Sequence, residues 1–180
     1  MPDRYVFGVA VESLFLRALD GRVDASCRAA LREAGIDLDE PVLAAYPAEV
    51  FHRGVAIASA AVEPGRPPDE AQFEVGRAHI DGFVGTYPGR MMLALARQLE
   101  PRTILDYTAT FIRLGNNYTE SRTRALGERR VELWLNHVDG VPHWYRGIVQ
   151  RGLELSGVRG VAVSHAGGDE AATFVISWEA

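Results

Sequence analysis

The sequence predicts an α+β protein in which a helical N-terminal half packs on a C-terminal antiparallel sheet. Two observations carry this. Up to about residue 114 the apolar residues recur at steps of three and four, and beyond Gly115 they alternate. The alternating part reads strand-strand-helix-strand-strand, and helices followed by strands imply helices on one face of an antiparallel sheet. The chain of 180 residues suffices for one domain with a sizeable core. No linker or repeat divides it. Residues 1–180 are therefore expected to form a single domain, with a helical half of about 1–114 and a ββαββ half of about 115–180.

YVFGVAV, residues 5–11, reads as a short strand, followed by a helical or irregular ESLFLRAL and a turn at Asp20-Gly21. Val23, Cys27, Ala30, Leu31 and Ala34 set a helix over 23–34 that Gly35 stops. Residues 35–45, with Asp37, Asp39, Glu40 and Pro41, read as a loop. Pro47 suits the first turn of a helix over 47–62, which the run from Glu63 to Pro68 ends. Asp69 is a cap for a helix to about Gly82. Pro88 opens another, with Met91, Met92, Leu95 and Leu99 on its apolar side; Pro101 breaks it, and RTILDYTATFIRL starts the next. The Thr-rich NNYTESRTRAL and the alternating RVELWLNHV, which puts Val131, Leu133 and Leu135 on one face, form a hairpin around GERR. PHWYRGIVQRGLELSG is a helix between Pro142 and Gly157, and GVAVSHA with ATFVISWE is a second hairpin around Gly167-Gly168-Asp169.

Composition excludes several function classes. The net charge is −5, which argues against a nucleic-acid partner. All 19 basic residues are arginine. Without lysine there is no Schiff base, no pyridoxal-phosphate anchor and no phosphate-loop lysine. Cys27 is the one cysteine, so there is no intrachain disulfide and no multi-cysteine zinc site. Glu12 interrupts the N-terminal apolar run, and no window has the length of a membrane span. A cytoplasmic protein is expected. The serines lack a G-x-S-x-G elbow, and the histidines lack His-Glu-x-x-His spacing, so no catalytic residue and no metal site are expected.

Two segments concentrate polar groups. Arg113-Leu114-Gly115-Asn116-Asn117-Tyr118 lies where a helix gives way to a strand. Asn-Asn after Gly is turn chemistry. On the functional reading Arg113, Asn116 and Tyr118 present donors to a pocket, arginine being a natural partner for a carboxylate or phosphate. The second set, Arg77, His79 and Arg90, lies around GRAHIDGFVGTYPGR, whose glycines at 76, 82, 85 and 89 permit close helix packing. No strand precedes these glycines, so they are not a dinucleotide fingerprint. The candidate ligand-binding residues are thus Arg113, Asn116, Tyr118, Arg77 and Arg90. The first reading is a non-catalytic sensory module for a small apolar or anionic ligand, acting through a protein partner or a homodimer. The second is a self-associating scaffold without a ligand.

VPHWYRGIVQRGLELSGVRGVAVSHAGGDEAATFVISW resembles the closing helix and hairpin of the four-vinyl-reductase domain. That domain shares a superfamily with the haem-nitric-oxide-binding domain and subunits of vesicle-tethering complexes. The resemblance implies a helical half and a ββαββ half that enclose a small-molecule or acyl-chain pocket. VFGVAVESLF, GIDLDEPVLAAYPAEVF, FEVGRAHIDGF, RLGNNYTESR and ELWLNHVDGVPHWYRG resemble, over nearly the whole chain, a multi-copy family of uncharacterised myxobacterial proteins, which brings no activity with it. The haem-binding relatives hold propionates with a Tyr, a Ser and an Arg alternating along a strand, and carry an axial His on a preceding helix. Here Tyr118-Thr119-Glu120-Ser121-Arg122 puts Ser121 on the opposite face from Tyr118 and Arg122. The corresponding helix holds Gly89, Arg90 and Met91, and the nearest earlier histidine is His79. The expectation is no cofactor, haem included.

Overall fold

The computed structural model describes residues 3–168 and 170–179. Two short antiparallel strands, β1 (Tyr5–Phe7) and β2 (Ala45–Pro47), frame the start of the chain. Between them run α1 (Gly8–Val11), which continues into a π-helical segment (Glu12–Ala18), and α2 (Ala25–Glu33). Then come α3 (Ala48–Val62), α4 (Pro68–Val84), α5 (Tyr87–Ala96), α6 (Pro101–Asp106) and α7 (Thr108–Ile112). The main sheet contains β3 (Ser121–Gly127), β4 (Arg130–Leu135), β5 (Ala162–Gly167) and β6 (Ala172–Ser177) in the order β3-β4-β6-β5, each pair antiparallel. Helix α8 (Pro142–Leu155) connects β4 to β5. The architecture is the α+β arrangement that the change of period predicts.

The register follows from burial. Leu133 stands opposite Thr123 on one side and Phe174 on the other. Val131, Leu133, Leu135, Ala172, Phe174 and Ile176 are all buried on one face. On the other face Arg124 and Glu132 pair at 2.8 Å, and the Arg122 guanidinium lies 5.0 Å from the centre of the Trp134 ring, which covers that tryptophan. Since the side-chain period is two, a slip of one residue would exchange these faces.

Five expectations are revised. The strand expected over 5–11 ends at Phe7, because Ala10, Val11, Leu14 and Phe15 are buried at helical steps that begin inside it. The loop over 35–45 gives way to β2 at Ala45. The segment after Pro101 forms two helices divided at Tyr107. On α5, Met91 and Leu95 are exposed, while Met92 and Leu93 are half-buried and Ala96 is buried. Asp69 sits in the first turn of α4, but Pro67 holds the cap position. Asp169 of the second hairpin lies outside the described residues.

Helix α4 is held on two sides by backbone contacts that only glycine permits. A Cβ on Gly76 would stand 2.1 Å from the Trp144 carbonyl oxygen, and one on Gly147 would stand 2.2 Å from that of Phe73. These two glycines put α4 and α8 backbone to backbone. Farther along α4, a Cβ on Gly82 would stand 2.1 Å from the Ser13 carbonyl oxygen of the π-helical segment. Gly152, also on α8, has open space around its missing Cβ. Gly147→Ala is therefore expected to destabilise by about 1–3 kcal/mol despite its better helix propensity. Gly152→Ala is expected to stabilise by about 0.5–1 kcal/mol. Urea unfolding of the two variants checks the pair.

Candidate functional site

A cavity of about 170 Å³ lies among α3 to α8, with Val6 of β1 at its edge. Its wall is mainly aliphatic and aromatic, with Phe51 and His52 from α3, His79 and Phe83 from α4, Met92 from α5, and Trp144 and Tyr145 from α8. Among the described residues no Arg, Asp or Glu lines it. It is half-open and largely apolar with a few polar groups, a type of site that takes small molecules.

The rings form one cluster. His79 lies 5.2 Å from the Trp144 ring, centre to centre, at 33° between planes. Phe51 meets Trp144 edge-on at 5.7 Å. His79 is 6% exposed, and neither of its ring nitrogens bonds to a described residue. Nδ1 is fully enclosed, and the ring as a whole lines the cavity. Burial alone pushes the His79 pKa down to about 3, so the imidazole is neutral.

His52 is 3% exposed and forms a partition. On the cavity side its Nε2 lies 3.4 Å from the Tyr145 hydroxyl and 3.5 Å from that of Tyr118. On the other side its Nδ1 lies 3.3 Å from Asp139 Oδ2, in an outer cleft lined also by Arg4, Glu49 and Arg53. Arg4 Nη1 donates to Asp139 Oδ1 at 2.6 Å, and its guanidinium stands 5.4 Å from the centre of the Tyr118 ring. Asp139 has a positive φ of 45°, an unusual backbone state for a residue with a side chain. Burial lowers the His52 pKa to about 4 against the opposing charge of Asp139, and burial raises those of both tyrosines. The inner end of this row is uncharged and the outer end is an ion pair.

Of the residues singled out in the sequence, Tyr118, Asn116 and His79 line the cavity. Asn116 uses its side chain within its own turn, where Oδ1 accepts from the backbone N–H groups of Tyr118 and Thr119 and Nδ2 donates to Thr119 Oγ1. Asn117 ties that turn to β1, accepting from Tyr5 N and donating to Asp3 O. Arg113 is exposed at the end of α7 and does not line the cavity. Arg77 is turned to Glu154 on α8 at 2.9 Å, and Arg90 donates to the Gly85 carbonyl at 2.6 Å; neither reaches the wall. An arginine near a pocket in sequence is free to pair with a carboxylate far along the chain, which meets its charge more fully. Sequence reasoning missed His52, Asp139 and Arg4. One signal was present: His52 sits between Phe51 and Val55 on the buried face of α3.

The family model for a protein of unknown function, DUF2378, matches residues 4–179. The chain belongs to the DUF2378 family. No curated protein matches this DUF2378 chain in sequence. Among solved structures it is similar to a variant of T. Tengcongensis H-NOX, at 16% identity and TM-score 0.67, over 96% of each chain. It is also similar to an oxygen binding H-NOX domain related to soluble guanylate cyclases, solved as the oxygen complex, at 14% identity and TM-score 0.67, over 96% of this chain and 95% of that one. A third structure, whose subject is modulating heme redox potential through protein-induced porphyrin distortion, matches at 15% identity and TM-score 0.66, over 96% of this chain and 93% of that one. At these identities the likeness shows a shared fold.

The expectation of no cofactor is corrected by that third match, since the same fold with porphyrin extends over nearly the whole chain. What the residues fit is narrower. His79 supplies one neutral imidazole in an apolar wall, which could hold such a group through a ring nitrogen. A clamp for carboxylates is not built. Tyr118 faces the cavity, Ser121 Oγ accepts from the Ala109 N–H at 3.1 Å, and Arg122 lies over Trp134 on the outer face of the sheet. The site thus fits a group held by a neutral imidazole and apolar contact, and does not fit one held by its carboxylates. Among the described residues no group of three or more His, Cys, Asp or Glu side chains is placed to hold a metal ion. No helix among them is long and apolar enough to cross a membrane.

The buried histidines set a pH dependence. Both have folded-state pKa values below the unfolded value of 6.5, at about 4 for His52 and about 3 for His79. Between those values and 6.5 the unfolded chain binds protons that the folded chain refuses. Their contribution is therefore full above pH 6.5 and is lost as pH falls through the folded values. Stability is expected to fall by several kcal/mol, in order of magnitude, from pH 7 to about pH 4. Urea midpoints across that range check this, and His52→Gln should flatten the slope.

Proposed function

We propose that the chain is a non-catalytic sensory module that binds one small molecule in the cavity between α3, α4 and α8. The observation that carries this is His79, an imidazole buried without a hydrogen-bond partner in the wall of an apolar cavity. Buried polar groups are nearly always satisfied, and a bound molecule supplies the missing partner. The likeness in fold to an oxygen binding H-NOX domain supports a sensory role. Tyr118, with Tyr145, presents a hydroxyl to the molecule, and Asn116 holds the turn that carries Tyr118.

In this reading the output runs outward. A molecule that touches the tyrosine hydroxyls disturbs His52, and His52 faces the Arg4–Asp139 pair in the outer cleft. The module acts as one domain in the cytoplasm, through a protein partner or a second copy. The resemblance to the myxobacterial family belongs to the same reading. The cavity favours binding over a ligand-free scaffold, which has no use for an unpaired imidazole in its wall.

Native mass spectrometry of the chain purified without added ligand tests the proposal, with a second sample incubated with haemin. The expected result is a mass above that of the bare chain, with a small molecule released on denaturation. A Soret band with haemin that His79→Leu abolishes would make that molecule a haem. Bare chain mass in both samples would overturn the reading.

A further inference from the structure

The ligand's chemical class can be read from the wall. No charged side chain lines the cavity, and Arg4 and Asp139 are paired with each other behind His52. An anion or cation entering the cavity would shed its water and meet no counter-charge, which is costly in an apolar enclosure. An uncharged molecule has no such penalty. The ring cluster of Phe51, His79 and Trp144 leaves aromatic faces and edges along one side. The volume of about 170 Å³ is that of a benzene-sized cavity. His79, in the same ring cluster, lines this side with an imidazole that makes no hydrogen bond to a described residue.

We propose that the cavity selects an uncharged aromatic molecule of one or two rings, packed against Phe51 and Trp144 and hydrogen-bonded through a polar substituent to His79. This rests on the sensory-module reading and narrows its ligand class. Neutral imidazole has one donor and one acceptor nitrogen, so a ligand hydroxyl, which both donates and accepts, can bond the ring nitrogen it meets in either tautomer. Arg77, Arg90 and Arg113 have no part in recognition, since none of them lines the wall.

The test uses four probes of similar size at pH 7, with binding followed by NMR shifts of the intact chain. They are phenol, toluene, benzoate and benzylammonium. Phenol is expected to bind at least about tenfold tighter than either charged probe. His79→Leu, which keeps apolar volume, is expected to weaken phenol about tenfold and leave toluene within about twofold. His79→Gln, which restores a hydrogen-bonding group, should recover most of the phenol affinity. Benzoate or benzylammonium binding as tightly as phenol would overturn the neutral-ligand assignment. Phenol binding indifferent to His79→Leu would overturn the role of His79. If all four probes are silent while native mass spectrometry still releases a molecule, this proposal falls and the sensory module stands. Silence in both experiments removes both.

Discussion

The backbone contact between α4 and α8 at Gly76 and Gly147 is the constraint on which the site depends. With no Cβ at either position, the Trp144 carbonyl rests on one helix and the Phe73 carbonyl on the other. That approach brings the Trp144 ring beside His79, which follows Gly76 by one turn of α4. Gly82 presses the far end of α4 onto the π-helical segment in the same way. Arg77 closes the seam from outside, joined to Glu154 across 77 residues of chain. A helix held this closely on both sides buries whatever it presents inward, and α4 presents an imidazole.

Charge is then sorted by depth. His79, at the inner face, has no ionic neighbour and is neutral by burial alone. His52, one layer outward, has Asp139 on its far side, and Arg4 holds that carboxylate. The ionic end of the row is partly exposed, where water screens it, while the two tyrosines line the cavity. An aqueous cleft and an apolar cavity thus share one side chain as their wall. That gives the cavity a polar contact with the outside without a charge inside it.

Much of the architecture was legible because it rests on period. The change from helical steps to alternation after Gly115 placed both hairpins and α8, and Val131, Leu133 and Leu135 share the buried face that their spacing implies. Where two periods overlap, as over residues 5–11, the apolar run reads equally as strand or helix, and tertiary packing of Ala10 and Val11 decides. The site was less legible. Arginines draw attention in a sequence because they recognise anions, yet Arg77, Arg90 and Arg113 are spent on a carboxylate, a carbonyl and solvent. The groups that meet around His52 come from distant segments; Arg4 and Asp139 are separated by 135 residues. Such a pairing has no local pattern to betray it. The glycines at 76 and 82 were visible as packing positions, but not the ring that Gly76 brings to His79.

The most direct test of this account is a crystal structure of the ligand-free chain under xenon pressure, because xenon enters dry apolar cavities without needing a polar partner. The account predicts a xenon site bounded by Phe51, His79 and Trp144, with Gly76 and Gly147 still in backbone contact. Side chains collapsed into that space with no xenon bound, or α4 and α8 standing apart at the two glycines, would contradict it.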